Sequence, residues 1–504
     1  MKTLFPGDDN VLRVLGRQKP SPDSAVRKNR YALSFTSNGR VFLWNGLTRA
    51  ILAAQAPEEE ALFASFPSLD PAPDGADAPV PAAAGAHGGQ ADSGAGASSA
   101  EPAPEDAPAP AGVLSSPAGQ ALYDGYFFLP EGRSSRALYQ DVLNALRLLR
   151  RDIGKTTSYT ILSTMVCNAR CPYCYEGGRR QYPMSMETAD DIAAYIIEKS
   201  GGSEVSLSWF GGEPLLGVAA IRRILAGLNA AGVAYKSSIV TNGYLFTEAL
   251  AEEAVRDWKL TRAQISLDGT EERYNRIKNY VNPVASPYRQ VLRNIGLLLD
   301  AGVRVSIRLN TSPENIEDMF RLVGELGETF PGRKNLRVYA YPLHFTDSIY
   351  KGLETPPGDL PALYDGLDRL GAYIRSLGFP ASGRFPNPAK FPISYCMASA
   401  YSSACAIDPS GRITHCEHCG DEWFYGNVRE GITDASLYRS LMEPPLPDRC
   451  ASCPFLTTCT PFRHPCPDMS PWCRWEVRRD LRANLLRQTE EQAPQTEEEE
   501  HAAC

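Results

Sequence analysis

The sequence predicts an α/β protein built around a parallel sheet with crossover helices, with a small α+β module before it and a cysteine-rich region after it. Three observations carry that prediction. β-type and helical runs alternate between residues 157 and 340, an Ala/Pro/Gly-rich stretch interrupts the N-terminal part, and ten of thirteen cysteines follow residue 395. The 504 residues, 43% of them hydrophobic, suit two to four domains at roughly 150 residues each. No apolar run reaches the ~18 residues of a membrane span, and the opening MKTLFPGDDNVLRV lacks the apolar core of a secretory signal. The expected setting is a reducing cytoplasm, where so many cysteines need a role other than disulfides. A net charge of −8 and the lack of a Lys/Arg stripe argue against nucleic acid as a partner.

The first module is expected over 1–65 and again over 120–150. RYALSF and RVFLWN alternate apolar and polar residues on either side of Asn38-Gly39, a pair suited to the positive φ angles of a tight hairpin turn. ALYDGYFFLP and a helical ALYQDVLNALRLLRRD complete the module. Residues 66–119 are almost entirely Ala, Pro, Gly, Ser, Asp and Glu, a composition read as a disordered linker or insertion. The acidic end, 488–504, is read as a solvated tail. His87 and His501 fall in these two segments and are read as inert.

The core is expected over 151–345. Strands are read at YTILSTMV, VSLSWF, SSIVTN, AQISLD, VRVSIRLN and LRVYAYP. Helices are read from Ser185, near 219–231, from Thr247, near 287–301 and from Ser312. Sheets of this kind bind ligands at the carboxyl ends of their strands. The first strand ends in Cys167-Asn-Ala-Arg-Cys171-Pro-Tyr-Cys174, three thiols within eight residues on a loop that Pro172 and Gly177-Gly178 keep irregular. A cubane iron-sulfur cluster takes four ligands. Three thiols therefore leave one iron open to a small chelating molecule.

With this C-x3-C-x2-C loop the chain resembles the radical SAM superfamily over about 157–340. The resemblance implies a partial (β/α)6 TIM-like barrel, a [4Fe-4S] cluster on Cys167, Cys171 and Cys174, bound S-adenosylmethionine (SAM), and a flavodoxin- or ferredoxin-type electron donor. Further matches follow successive strands. Tyr173 takes the position that packs beside the adenine. Gly211-Gly212-Glu213-Pro214 resembles the GGEP turn that receives the methionine ammonium. Thr241-Asn242-Gly243 resembles the TNG segment, and in Ser266-Leu267-Asp268-Gly269 the serine resembles a SAM contact. Lys278 stands where related enzymes carry an arginine near the SAM carboxylate, keeping the charge without the planar fork. Arg308 reaches the same mouth by strand position.

A connecting helical segment is expected over 346–395, followed by a cysteine domain over 396–487. Its pattern is Cys396-x8-Cys405-x5-Gly411-x4-Cys416 and Cys450-x2-Cys453-x5-Cys459-x6-Cys466-x6-Cys473. This arrangement resembles the SPASM extension of radical SAM peptide-modifying enzymes, with six residues where the family has three between Cys459 and Cys466. By family order, Cys396, Cys405, Cys416 and Cys466 would hold one auxiliary [4Fe-4S] cluster, and Cys450, Cys453, Cys459 and Cys473 the other. IDPSGRITHC reads as a hairpin delivering Cys416. Cys419 is left over, and Cys416-x2-Cys419 with Cys450-x2-Cys453 also spells a zinc ribbon. His415, His418 and His464 interleave with these cysteines and could ligate a metal, with peripheral hydrogen-bonding as the expected role, and Cys504 lies on the tail.

The resemblance implies reductive cleavage of SAM to a 5′-deoxyadenosyl radical that acts on a peptide. The leading expectation is maturation of a ribosomally made peptide by a thioether or other side-chain crosslink, with the N-terminal module capturing a leader by strand addition. The second is anaerobic sulfatase maturation, in which Glu417, directly after Cys416, would stand for the general base. A zinc-bearing, non-catalytic peptide adaptor is the alternative from another class.

Overall fold

The computed structural model describes residues 1–15, 25–70, 106–149, 155–178, 180–343, 359–380, 403–418, 420–442, 450, 453–458 and 473–491. At the N-terminus β1 (Lys2–Phe5), β3 (Ala32–Ser37), β4 (Arg40–Asn45) and β5 (Ile51–Ala53) form an antiparallel sheet in the order β1-β5-β4-β3, while β2 (Val26–Lys28) pairs with β6 (Phe128–Pro130). The hairpin closes as the sequence predicts. Ser37 faces Arg40, and Asn38 and Gly39 take φ of 49° and 72°, the left-handed pair a two-residue turn demands. Phe35 stacks on Phe42 across the strands with centroids 5.2 Å apart.

The boundaries of the expected linker need correction. Residues 66–70 and 106–119 are built into the module. Ser34 and Leu69 exchange backbone bonds with the 67–69 stretch and β3, and Leu69 is fully buried. Asp106 is buried against Arg30 at 2.7 Å and accepts from the Ser135 amide and hydroxyl. A 3-10 turn at Val113–Ser115 and a helix at Pro117–Asp124 follow, the helix capped by Ser116. A few apolar anchors, Phe66, Leu69, Val113 and Leu114, hold segments whose average composition hides them. Residues 71–105 lie outside the described residues. At the other end, the expected tail from 488 is shortened, since the helix Cys473–Glu491 runs into it and buries Thr489.

Six parallel strands form the centre: β7 (Ser158–Thr164), β8 (Val205–Gly211), β9 (Tyr235–Thr241), β10 (Leu260–Leu267), β11 (Arg304–Thr311) and β12 (Leu336–Pro342), hydrogen-bonded in sequence order. Helices Met186–Ser200, Val218–Ala230, Glu248–Arg256, Pro287–Asp300 and Ile316–Thr329 connect them. Ser185, Thr247 and Ser286 cap three of these helices by accepting from the amide three residues on. The helix expected from Ser312 starts four residues later, because Asn315 Oδ1 accepts from the Ser312 amide and closes a turn first. Glu271–Lys278 is a helix the sequence pattern does not reveal, with only Tyr274 and Ile277 apolar among its eight residues. Along β8, buried Val205, Leu207 and Trp209 pack toward the helices and alternate with half-buried Ser206, Ser208 and Phe210. Along this strand one face makes the core, while the other, with two serines and Phe210, stays half-exposed.

The C-terminal region continues this sheet. β13 (Ala404–Ile407) pairs in parallel with β7, Cys405 opposite Tyr159, and β14 (Arg412–Thr414), β15 (Gly426–Asn427) and β16 (Gly431–Ile432) follow as an antiparallel meander. The helix Cys473–Glu491 bridges two neighbours. Tyr364, on the helix Asp359–Ser376, donates to Glu476 at 2.9 Å, and Arg482 pairs with Asp70 at 3.1 Å. Cys450, Cys453, Leu456 and Leu481 share one buried cluster with Val11, Tyr31 and Leu33, so the N-terminal module and the last segment have a common core. No helix among the described residues is long and apolar enough to cross a membrane.

Candidate active site at the strand ends

Cys167, Cys171 and Cys174 lie on the loop that leaves β7, Cys174 exposed and the others partly buried. The loop is pinned on several sides. Val281 donates to the Asn168 carbonyl at 2.8 Å, Arg170 to the Lys278 carbonyl at 2.9 Å, and Asn242 Nδ2 to Asn168 Oδ1 at 2.7 Å. Burial pushes the Cys167 thiol up to about 12, with Glu213, Cys171 and Cys174 adding to the shift, so the three thiols sense one another's charge. Among the described residues no three Cys, His, Asp or Glu side chains stand as close as one shared ion requires.

The Gly-Gly-Glu-Pro turn locks onto this loop. Gly212 donates to the Thr164 carbonyl at 3.0 Å and Glu213 to the Val166 carbonyl at 2.9 Å. Gly211 has φ 114°, and a Cβ there would strike the Thr164 carbonyl; at Gly212 a Cβ would meet the Val166 oxygen at 2.6 Å. The glycines thus serve the approach of turn to loop. Glu213, fully buried, accepts from the Leu215 amide (3.1 Å) and Thr241 Oγ1 (2.7 Å) at Oε1 and from the Asn242 amide (2.8 Å) at Oε2. These bonds tie the ends of β8 and β9 together. Burial raises the carboxyl above its ordinary value, opposed by those donors and Lys278.

A second cluster, which the sequence reading captured only in part, stands at the ends of β10 and β11. Lys278 Nζ lies 3.0 Å from Asp268 Oδ2 and 2.7 Å from Ser266 Oγ. Tyr173 donates to Asp268 Oδ1 at 2.6 Å, and Asn310 Nδ2 reaches the Tyr173 hydroxyl (3.0 Å) and Asp268 Oδ1 (2.9 Å). Burial alone would lower the Lys278 ammonium, but Asp268 and Tyr173 hold it well above its usual range. Its charge is matched within the protein, and Ser266 is drawn into the same network. Asp268 lay inside the quoted SLDG segment and Asn310 two residues past Arg308, but only contact reveals their roles. Arg308 lies over the Tyr341 ring at 3.8 Å, with a buried Nε that has no hydrogen-bond partner among the described residues.

The β13–β14 hairpin does deliver Cys416. Its Sγ lies 3.7 Å from Glu417 Oε2, and the His418 ring stacks on Tyr175, next to Cys174, with centroids 4.2 Å apart. Cys405 requires a correction. It is buried on β13 beside Tyr159 and Tyr195, and burial alone pushes its thiol up to about 12. It packs in the core of the sheet. Cys450 and Cys453 are buried against the N-terminal module. Cys396, Cys419, Cys459, Cys466, His464 and Cys504 lie outside the described residues, as does the side chain of Cys473 at the start of its helix.

Residues 161–326 match the model of the Radical SAM superfamily. A curated relative, the radical SAM cyclopropyl synthase TigE of Paramaledivibacter caminithermalis, is 22% identical over 321 residues, and the match covers 58% of this chain and 65% of TigE. Native anSMEcpe with bound AdoMet superposes with a TM-score of 0.53 at 15% identity, over 66% of this chain and 98% of that one. The same protein with bound AdoMet and Cp18Cys peptide gives a TM-score of 0.51 at the same identity and coverage. Residues 161–326 thus match a radical SAM domain, a family whose members bind a [4Fe-4S] cluster and SAM, and the chain has the fold of these neighbours.

Proposed function

We propose that this chain is a radical SAM peptide maturase, which installs a thioether or other side-chain crosslink in a ribosomally made precursor. The observation that carries the reading is the thiol loop at the end of β7, clamped between the Gly-Gly-Glu-Pro turn and the Lys278 end of its helix. When bound, the cluster and SAM supply a 5′-deoxyadenosyl radical able to abstract a hydrogen atom from a substrate. The chain's own residues keep Cys167, Cys171 and Cys174 on one loop at the end of β7 and fix the Tyr173 hydroxyl through Asp268 and Asn310. A peptide substrate is supported by the peptide bound to anSMEcpe. Cys416, Cys450 and Cys453, together with Cys396, Cys459, Cys466 and Cys473, are then the ligands for auxiliary clusters, with a flavodoxin- or ferredoxin-type donor supplying electrons.

Glu417 supports a second reading, oxidation of a Cys or Ser side chain to formylglycine. Its carboxylate lies beside Cys416 and, through His418 and Tyr175, next to the thiol loop, and Oε2 would accept the substrate proton. Replacing Cys167, Cys171 and Cys174 together by Ala tests the common premise. The purified, anaerobically reconstituted variant should form no 5′-deoxyadenosine from SAM and dithionite, whereas cleavage at the unaltered rate would overturn both readings.

A further inference from the structure

Cys450 and Cys453 sit apart from the strand-end site, in a turn where the Cys453 amide donates to the Cys450 carbonyl at 3.1 Å and the Leu456 amide to the Cys453 carbonyl at 3.3 Å. Both are nearly inaccessible, at 5% and 8% exposure, in a cluster that joins residues of the N-terminal module with Leu456 and the helix Cys473–Glu491. Arg49, on the β4–β5 connection, donates to the Thr457 carbonyl while its guanidinium lies over Trp44 at 5.4 Å, and a Cβ on Gly46 would run into Thr457 Oγ1. The module is fitted closely to the turn that follows the two thiols.

Within this fit one polar group lacks a partner. Tyr31 is fully buried, its ring edge-on to Tyr139 at 5.8 Å, and its hydroxyl has no hydrogen bond among the described residues. Tyr31 belongs to the same buried cluster as Cys450 and Cys453. Thr457 Oγ1, also fully buried, has no partner there either. A native fold seldom buries a hydroxyl with nothing to bond. A neutral thiol is a weak acceptor, whereas metal-bound sulfur is a strong one, and hydrogen bonds to cluster sulfurs set reduction potential.

We propose that the N-terminal module forms the inner wall of an iron-sulfur centre on Cys450 and Cys453, with the Tyr31 hydroxyl donating to one of its sulfurs and with the module's docking dependent on that centre. This rests on the reading that these cysteines carry an auxiliary cluster. Tyr31 is a tuning residue here: it touches the centre and takes no part in bond making. The loss of a donor to sulfur destabilises the more negative, reduced form, so the midpoint potential falls when the hydroxyl is removed.

The test uses the full-length chain with Cys167, Cys171 and Cys174 replaced by Ala, so that iron measured belongs to the C-terminal region. In that background Cys450→Ser should lose iron and one paramagnetic signal; if it retains both, the underlying cluster assignment fails. Tyr31→Phe should keep its iron and move the midpoint of that same signal to more negative potential in a redox titration. An unshifted midpoint with iron retained would overturn the role of Tyr31 and leave the cluster assignment standing. Removing iron from the parent protein with chelator should raise deuterium uptake of residues 31–45 severalfold, and unchanged uptake would overturn the coupling of docking to the centre.

Discussion

Lys278 and Asp268 form a buried ion pair, Nζ to Oδ2 at 3.0 Å, with side chains only 3% and 2% exposed. The pair joins the end of a polar eight-residue helix to the end of β10, and Tyr173 of the thiol loop hangs on the same carboxylate. Breaking a buried pair from one side leaves a charge with no partner, at a cost of about 3–5 kcal/mol. Lys278→Met should therefore lower the melting temperature sharply, and Lys278→Met with Asp268→Asn should recover part of the loss. A double variant as unstable as the single one, in thermal melts of the metal-free protein, would show that the pair is not what holds this corner.

Gly212→Ala should injure the thiol loop without touching a thiol. The added Cβ would meet the Val166 oxygen at 2.6 Å, and backbone atoms on both sides leave little room to yield. We expect a loss of about 1–3 kcal/mol in stability, the range of local backbone strain, together with reduced iron uptake in a background where the C-terminal cysteines alone account for the remainder. Full iron loading and an unchanged melt would contradict the close approach described.

Burial raises the Glu213 carboxyl, and the sign of its pH effect follows from that direction. A carboxyl with a raised folded-state pKa contributes stability that is present below the unfolded value of about 4.3 and lost as pH climbs through the raised value. Glu213→Gln removes this dependence and places an amide nitrogen or oxygen among three donors. Its melting temperature should lie below that of the parent throughout, with the gap widest at low pH and narrowing as pH rises. A gap independent of pH between 4 and 8, followed by differential scanning fluorimetry, would mean that Glu213 does not titrate in the fold.

Glu417→Gln keeps the shape of the side chain and removes its basicity. If Oε2 accepts the substrate proton, 5′-deoxyadenosine formation should continue while modified peptide falls by about 10²–10⁴-fold, the usual contribution of a positioned base. Parallel loss of both products in mass spectrometry would assign Glu417 to scaffolding around Cys416.

The hairpin at Asn38-Gly39 and the six parallel strands were legible because each is declared locally, by a turn dipeptide or by a run of β-branched and apolar residues of strand length. The thiol loop and the Gly-Gly-Glu-Pro turn were legible for the same reason. What escaped is non-local. ACAI is too short for a periodic signal, and nothing in it announces a parallel partner at β7. Cys405 therefore looked like one more ligand in a run of cysteines, whereas the strand turns it into the core. The Tyr173–Asp268–Lys278–Asn310 network draws on four separate segments. The core that Tyr31 shares with the Cys453 turn joins segments from opposite ends of the chain, a relation that spacing cannot encode.

The parallel pairing of β13 with β7 has a consequence for biosynthesis. β7 is the first strand of the sheet to leave the ribosome, and the strand that covers its open edge is among the last. Through most of translation the nascent barrel presents an apolar, unpaired edge of the kind that templates aggregation. Chains stopped before residue 404 would keep that edge, so heterologous yield should depend on chaperone supply and on completion of the C-terminal region more than on the intrinsic stability of the barrel.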